Sequence, residues 1–215
     1  MTAKPPPAFP GMRIGLMGGS FNPAHEGHRH ISLEALKRLR LDVVWWVVSP
    51  QNPLKTRAGM ADFETRLAQA AAVASHPRMI VTDFERAVGA GYTIDTIRFL
   101  LRRYPGTSFV WIMGADGLAS LHRWRAWREI MHAVPMAVFD RPGWRHRALA
   151  AAAATAFSRA RLAESRAAAL AGATPPAWSF LSIPLSAVSS TALRLGVENA
   201  GPGLALEKRA EVRQV

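Results

Sequence analysis

The sequence predicts an α/β protein: a doubly wound parallel sheet with helices on both faces and a small helical C-terminal part. Three observations point there. Short apolar runs alternate with helical stretches, and parallel strands need such crossovers. Residues 43–48, Val-Val-Trp-Trp-Val-Val, are β-branched or aromatic throughout and stopped by Ser49-Pro50. The runs that open and follow this pattern close on glycine, at Gly18-Gly19 and at Gly114.

Each element has its own signal. Residues 13–17 read as the first strand, and a helix follows over about residues 27–39. After the strand at 43–48 come a helix over 61–75 and a third strand over 79–82. Residues 93–104 carry Ile94, Ile97, Leu100 and Leu101 at helical spacing, which predicts a buried helix face. Residues 109–113 form a fourth strand, helical material extends to about His132, and residues 134–139 make a fifth. The segment 141–173 holds six arginines against Glu164 on an alanine-rich background, and reads as a solvated helix over the main fold. Pro175-Pro176 ends it, residues 178–183 give a last strand, and the chain closes with residues 188–194 and a charged tail helix.

Composition bounds the function. A chain of 215 residues, 49% hydrophobic and 20% charged, can bury a proper core. Residues 1–11 read as a loose tail and 12–215 as one domain, with a basic helical insert at 144–173 and a C-terminal motif with helices at 186–215. The absence of cysteine removes disulfides, thiolate zinc sites and cysteine nucleophiles, and fits a reducing compartment such as the cytoplasm. A bilayer span takes about 20 apolar residues; the longest apolar-looking stretch here is ten residues, 148–157, so no membrane is expected. Net charge is +12, and 23 of the 27 cations are arginine, which points to an anionic partner: nucleic acid, a membrane surface or phosphorylated small molecules.

In doubly wound sheets ligands sit beyond the strand C-termini. The residues placed there include Gly18-Gly19-Ser20-Phe21-Asn22-Pro23-Ala24-His25-Glu26-Gly27-His28. Glycines let backbone N–H groups approach an oxyanion, and a helix N-terminus adds its positive dipole end. His25 and His28 can then aim ring N–H groups at one phosphate chain. Zinc is disfavoured, because His-Glu-x-x-His needs ligands four apart and these are three apart. Neither Gly-x-Gly-x-x-Gly nor the Gly-x-x-x-x-Gly-Lys phosphate loop is present.

Residues 19–28 resemble the signature of the HxGH nucleotidylyltransferases, whose fold is Rossmann-like. Three further blocks resemble the bacterial nicotinate-nucleotide adenylyltransferases: Gly91-Tyr92-Thr93-Ile94-Asp95-Thr96; Gly114-Ala115-Asp116 followed by Leu121, Trp124 and Trp127; and Val188-Ser189-Ser190-Thr191-Ala192-Leu193-Arg194. The resemblance implies ATP and nicotinate mononucleotide as substrates. His25 and His28 are then the catalytic donors, and Gly18, Gly19, Ser20, Lys55, Asp116, Ser189, Ser190 and Arg194 serve ATP and its phosphates. Thr93, Trp124 and the backbone at Arg125 receive the mononucleotide, with Trp124 stacking on its pyridine ring. Lys55 departs from the family pattern, since Leu54 stands where a histidine is common. Read without the resemblance, Trp124 and Trp127 are core packing, and Ser189 with Ser190 an ordinary helix cap. Mg²⁺ is expected to arrive on the triphosphate, with no protein metal site. Neither nucleic acid nor membrane is expected as a partner, and a homodimer is compatible with the sequence. Rival readings are the amidated mononucleotide or phosphopantetheine as acceptor, and a basic nucleic-acid-binding module.

Overall fold

The computed structural model describes residues 4–50 and 60–184. Lys55, Ser189, Ser190 and Arg194, together with the expected C-terminal motif and helices, lie outside the described residues. Seven strands make one sheet: β1 (Arg13–Gly19), β2 (Val43–Val48), β3 (Met79–Thr82), β4 (Ser108–Gly114), β5 (Met136–Phe139), β6 (Arg161–Leu162) and β7 (Trp178–Leu181). Their order is β3-β2-β1-β4-β5-β7-β6, and every neighbouring pair is parallel. The chain builds outward from β1 to β3, then returns to place β4 on the other side of β1. This Rossmann-like reversal puts the switch point between β1 and β4, where the loops after both strands meet.

Both faces of the sheet are covered, which explains why β2 is buried at all six positions. Alternate residues of each strand serve opposite faces. Ile14, Leu16, Trp45, Val47, Trp111 and Met113 enter one core; Met17, Val44, Trp46, Val48, Val110 and Ile112 enter the other. The second core is covered by α1 (Glu26–Arg38) and α2 (Phe63–Val73), through Ala35, Leu36 and Ala70. The first is covered by α3 (Phe84–Val88), α4 (Thr93–Arg103), α5 (Ala115–Ser120) and α6 (Trp127–Ala133). On α4, Ile94, Ile97 and Leu100 are buried as their spacing predicts, each contributing roughly 1.5–3 kcal/mol. Leu101 instead faces outward, because the step of one residue from Leu100 turns it about 100° off the buried stripe.

Two expectations are corrected. The basic segment is not a solvated helix. It forms α7 (Arg145–Leu149), α8 (Ala152–Ala156), the edge strand β6 and a 3₁₀ helix Glu164–Gly172. Ala148, Ala153 and Ala154 are buried in the first core, and Ala167, Leu170 and Ala171 in the second. Alanine allows this close packing because its side chain ends at Cβ. Part of its charge is also partnered: Arg145 pairs with Asp140 at 2.7 Å, Glu164 accepts Arg38 of α1, and Arg161 lies 5.2 Å from the Trp178 ring centroid. The N-terminal tail was expected to be loose, yet its described residues, 4–11, are tied down near the α4–β4 turn. Tyr104 donates its hydroxyl proton to the Pro6 carbonyl at 2.8 Å, Thr107 donates to Phe9, and Gly11 N–H donates to Gly106. Among the described residues no helix is long and apolar enough to cross a membrane.

A packed crossover and a solvated helix respond differently to charge. Ala148→Arg should lower the urea unfolding free energy by about 2 kcal/mol or more, since a cation would enter a dry core. A change within about 0.5 kcal/mol, as at an exposed position, would return this segment to the surface.

Candidate active site

The loop from β1 to α1 carries the densest chemistry. His25 is the N-cap of α1 and is only 7% exposed. Its Nδ1 accepts the Gly27 N–H at 3.1 Å, and the Nδ1 of His28 accepts the His25 N–H at 3.2 Å. This reciprocal box satisfies two N–H groups at the helix entrance with imidazole nitrogens in place of the usual hydroxyl or carboxylate. A ring that accepts at Nδ1 carries its proton on Nε2, so both rings keep Nε2–H as a donor. The ring centroids stand 3.9 Å apart.

Burial first, and the nearby Arg141 charge second, lower the pKa of His25 from 6.5 to about 4. At neutral pH His25 is therefore a neutral donor and adds no positive charge of its own. Phe21 braces the pair: its ring lies 5.0 Å from that of His28 and stacks on Trp46 at 5.0 Å. Phe21 takes a left-handed φ of 46°, a conformation that side chains avoid and that functional loops often retain. Asn22 accepts the Ala61 N–H at 3.2 Å through Oδ1, joining the loop to the entry of α2. Gly18 requires its lack of a side chain, because a Cβ would lie 2.5 Å from the Trp111 ring.

The residues expected to receive the mononucleotide converge. Thr93 is the first residue of α4, after the N-cap Tyr92. The Arg125 guanidinium lies 4.6 Å from the Tyr92 ring centroid, which joins the head of α4 to the turn before α6. Trp124, expected within a helical stretch, occupies an extended position between the 3₁₀ turn Leu121–Arg123 and α6. It therefore shares no helix with Trp127. Trp124 meets Trp111 edge-on at 6.4 Å, so a single indole touches both Gly18 and Trp124. Trp127 packs edge-on against Phe157 at 5.9 Å, in keeping with a structural role.

Asp116, expected to accept a ribose hydroxyl, sits in the first turn of α5 and takes a 2.8 Å hydrogen bond from Arg141. Arg141 itself went unread in the sequence, although it stands two residues beyond β5, where a ligand residue is expected. Arg66 and Trp111 were missed as well. An arginine inside a helix defaults to solvent and a tryptophan inside a strand to core, so neither gave a sequence signal. Glu85 is a further unpredicted group. It is buried beneath α4 and accepts the Thr96 hydroxyl at 2.5 Å, and burial raises its pKa from 4.5 to about 7. Among the described residues no three His, Asp or Glu side chains gather as metal ligands.

A parallel sheet whose switch point presents two imidazole donors at a helix entrance defines a class: an α/β nucleotidyltransferase. The comparisons with known proteins agree. The model of the cytidylyltransferase-like family matches residues 16–196. A relative from Methylorubrum extorquens, named "Probable nicotinate-nucleotide adenylyltransferase", is 57% identical over 85% of this chain and 99% of its own length. One from Cereibacter sphaeroides with the same name is 54% identical over 85% of this chain and 97% of its own. The chain belongs to the cytidylyltransferase-like family and, within it, to the nicotinate-nucleotide adenylyltransferases. Among solved structures, the nicotinic acid mononucleotide adenylyltransferase of Plasmodium falciparum in complex with NaAD shares the fold. Its TM-score is 0.65 at 15% identity, over 92% of this chain and 89% of that one.

His25 and Glu85 make opposite demands on pH. Between pH 6.5 and about 4 the unfolded chain protonates His25 and the native state does not, so this group's stabilisation is lost as pH falls. Between pH 4.5 and about 7 the native state holds a proton on Glu85 that the unfolded chain releases, so that stabilisation is lost as pH rises. The two slopes oppose each other. Urea titrations at several pH values should show Glu85→Gln gaining a steeper rise of stability with pH than the wild type, and His25→Asn a shallower one. Parallel profiles for all three proteins would contradict both assignments.

Proposed function

We propose that this protein transfers the adenylyl group of ATP to nicotinate mononucleotide, giving nicotinate adenine dinucleotide and pyrophosphate, a step of NAD biosynthesis. The observation that carries this chemistry is the His25–His28 box, two Nε2–H donors held at the entrance of α1 beside a glycine-rich loop. An oxygen of the acceptor's 5′-phosphate attacks the α-phosphorus of ATP. The bond from that phosphorus to the α–β bridging oxygen breaks, and its electron pair leaves with pyrophosphate. The attacking phosphate needs no deprotonation, so the reaction calls for donors and alignment and no general base.

The two imidazoles donate to the oxygens of the transferring phosphoryl group, where charge develops. Gly18, Gly19 and Ser20 let the triphosphate approach the β1–α1 loop. Lys55, Ser189, Ser190 and Arg194 supply further donors to it, as their motifs in the sequence suggest. Asp116 accepts from a ribose hydroxyl. Trp124 stacks on the pyridine ring, and Thr93 with the backbone at Arg125 takes the carboxylate. Magnesium enters as part of the substrate, bound to ATP. A cytoplasmic location and a homodimer go with this reading, which involves neither nucleic acid nor a membrane.

Pyrophosphate release decides the matter. With ATP and Mg²⁺ the protein should release it fastest with nicotinate mononucleotide, more slowly with the amidated nucleotide and least with phosphopantetheine. Silence with all three would end the proposal. His28→Ala should reduce turnover by on the order of 10²–10³, the usual loss for one transition-state donor, with a smaller effect on ATP affinity. Trp124→Ala should mainly raise the acceptor KM; an unchanged KM would return Trp124 to the packing of Trp111.

A further inference from the structure

Arg66 occupies an unusual place. It belongs to α2, whose outer residues face solvent, yet it is 1% exposed. Long cationic side chains ordinarily carry their heads to water along an apolar stem. Arg66 does the reverse: among the described residues, its hydrogen bonds end on main-chain carbonyls. Nε donates to Ala61 at 3.1 Å, Nη1 to Ser20 at 2.6 Å and to Ser49 at 2.9 Å, and Nη2 to Pro50 at 3.1 Å. No carboxylate lies within ion-pairing distance among the described residues; the Asp62 charge acts on it only from further away. The guanidinium also lies 5.3 Å from the Phe63 ring centroid.

Stability alone does not explain this arrangement. Removing a guanidinium from water carries a penalty of several kcal/mol, and a well-packed apolar side chain often serves a core equally well. What an apolar residue lacks is the planar fork that holds several acceptors in fixed directions. Here the fork joins three separate pieces of chain: the β1–α1 loop at Ser20, the end of β2 at Ser49 and Pro50, and the entry of α2 at Ala61. Two further bonds close the same junction, Asn22 Oδ1 with Ala61 N–H and Ser49 N–H with the Gly19 carbonyl. Ser20 immediately precedes Phe21, the residue with left-handed backbone that braces His28. Arg66 thus grips the loop at the root of the histidine pair.

We infer that Arg66 is the positioning residue of the histidine loop, fixing Ser20 against the end of β2 so that His25 and His28 stand where the transferred phosphoryl group arrives. This rests on the adenylyl-transfer reading above. Misplacing a reacting group by about 1 Å can cost on the order of 10²-fold in rate. A lysine at this position keeps the charge but forms no fork, and a methionine keeps the bulk without donors. The residues assigned to the acceptor, Thr93, Trp124 and Arg125, hang on α4 and the turn before α6, against the other face of the sheet, and should stay in place.

The test pairs Arg66→Lys with Arg66→Met and measures kcat, the KM of each substrate, and backbone hydrogen exchange without substrate. The expected result is a kcat lower by ten- to a hundred-fold in Arg66→Lys and lower still in Arg66→Met. The acceptor KM should remain within two-fold, with faster exchange confined to the β1–α1 loop and the end of β2. Unchanged kcat in a folded variant overturns the proposal. So does faster exchange throughout the chain, or failure of both variants to fold, since Arg66 would then be a stability residue only. A wild-type protein without transfer activity would sink the functional reading separately. The exchange comparison would still decide whether Arg66 holds the loop.

Discussion

Two hydrogen bonds between imidazole nitrogens and main-chain amides, at the entrance of α1, govern the rest of the site. They fix each ring's orientation and its tautomer together, because a ring accepting at Nδ1 can donate only from Nε2. Each neighbouring feature constrains this box from another direction. Phe21 and Trp46 stack beneath His28, the Trp111 ring fills the space that a side chain at Gly18 would need, and Asn22 ties the loop to α2. A strained φ at Phe21 persists because so many contacts determine it.

The same box explains the electrostatics. Two protonated imidazoles with centroids 3.9 Å apart would repel by about 4 kcal/mol at an effective dielectric of about 20. Burial and Arg141 remove that conflict by keeping His25 neutral. The histidine loop therefore offers directed dipoles, and the cationic field around it comes from arginine. Such a division suits a reaction between two anions. Neutral donors can follow charge as it develops, while permanent cations offset the repulsion before the reaction begins.

The sequence carried the sheet, the switch point and the loop that matters, since hydrophobic runs and glycine stops are local signals. It misread what depends on partners distant in the chain. The alanine-rich segment looks solvated by its arginines, yet its alanines pack on both cores, because close packing is set by the neighbouring surface rather than by composition. Leu101 follows the apolar pattern of α4 but falls one step past the buried stripe. Trp124 was expected on a helix, and only the left-handed backbone at Ala126 shows why the chain breaks there and turns into α6. Arg66 looked like any helical cation, and what marks it out is the meeting of carbonyls from residues 20, 49, 50 and 61.

The charge of +12 acquires structure from the same comparison. Arg66 is spent on carbonyls, Arg145 on Asp140, and Arg161 on an indole face. Arg141, the first arginine of the segment 141–173, lies before the insert expected at 144–173 and beside the histidine loop: it is close enough to act on His25 and is bonded to Asp116 at 2.8 Å. That pair is partly exposed on both sides, so it contributes about 1 kcal/mol or less to stability. A bond of that strength orients the carboxylate and the guanidinium while leaving either able to turn toward an incoming hydroxyl or phosphate. Arg141 thus stands apart from the insert at 144–173, and part of the charge of the segment 141–173 belongs to the loops around His25 and Asp116.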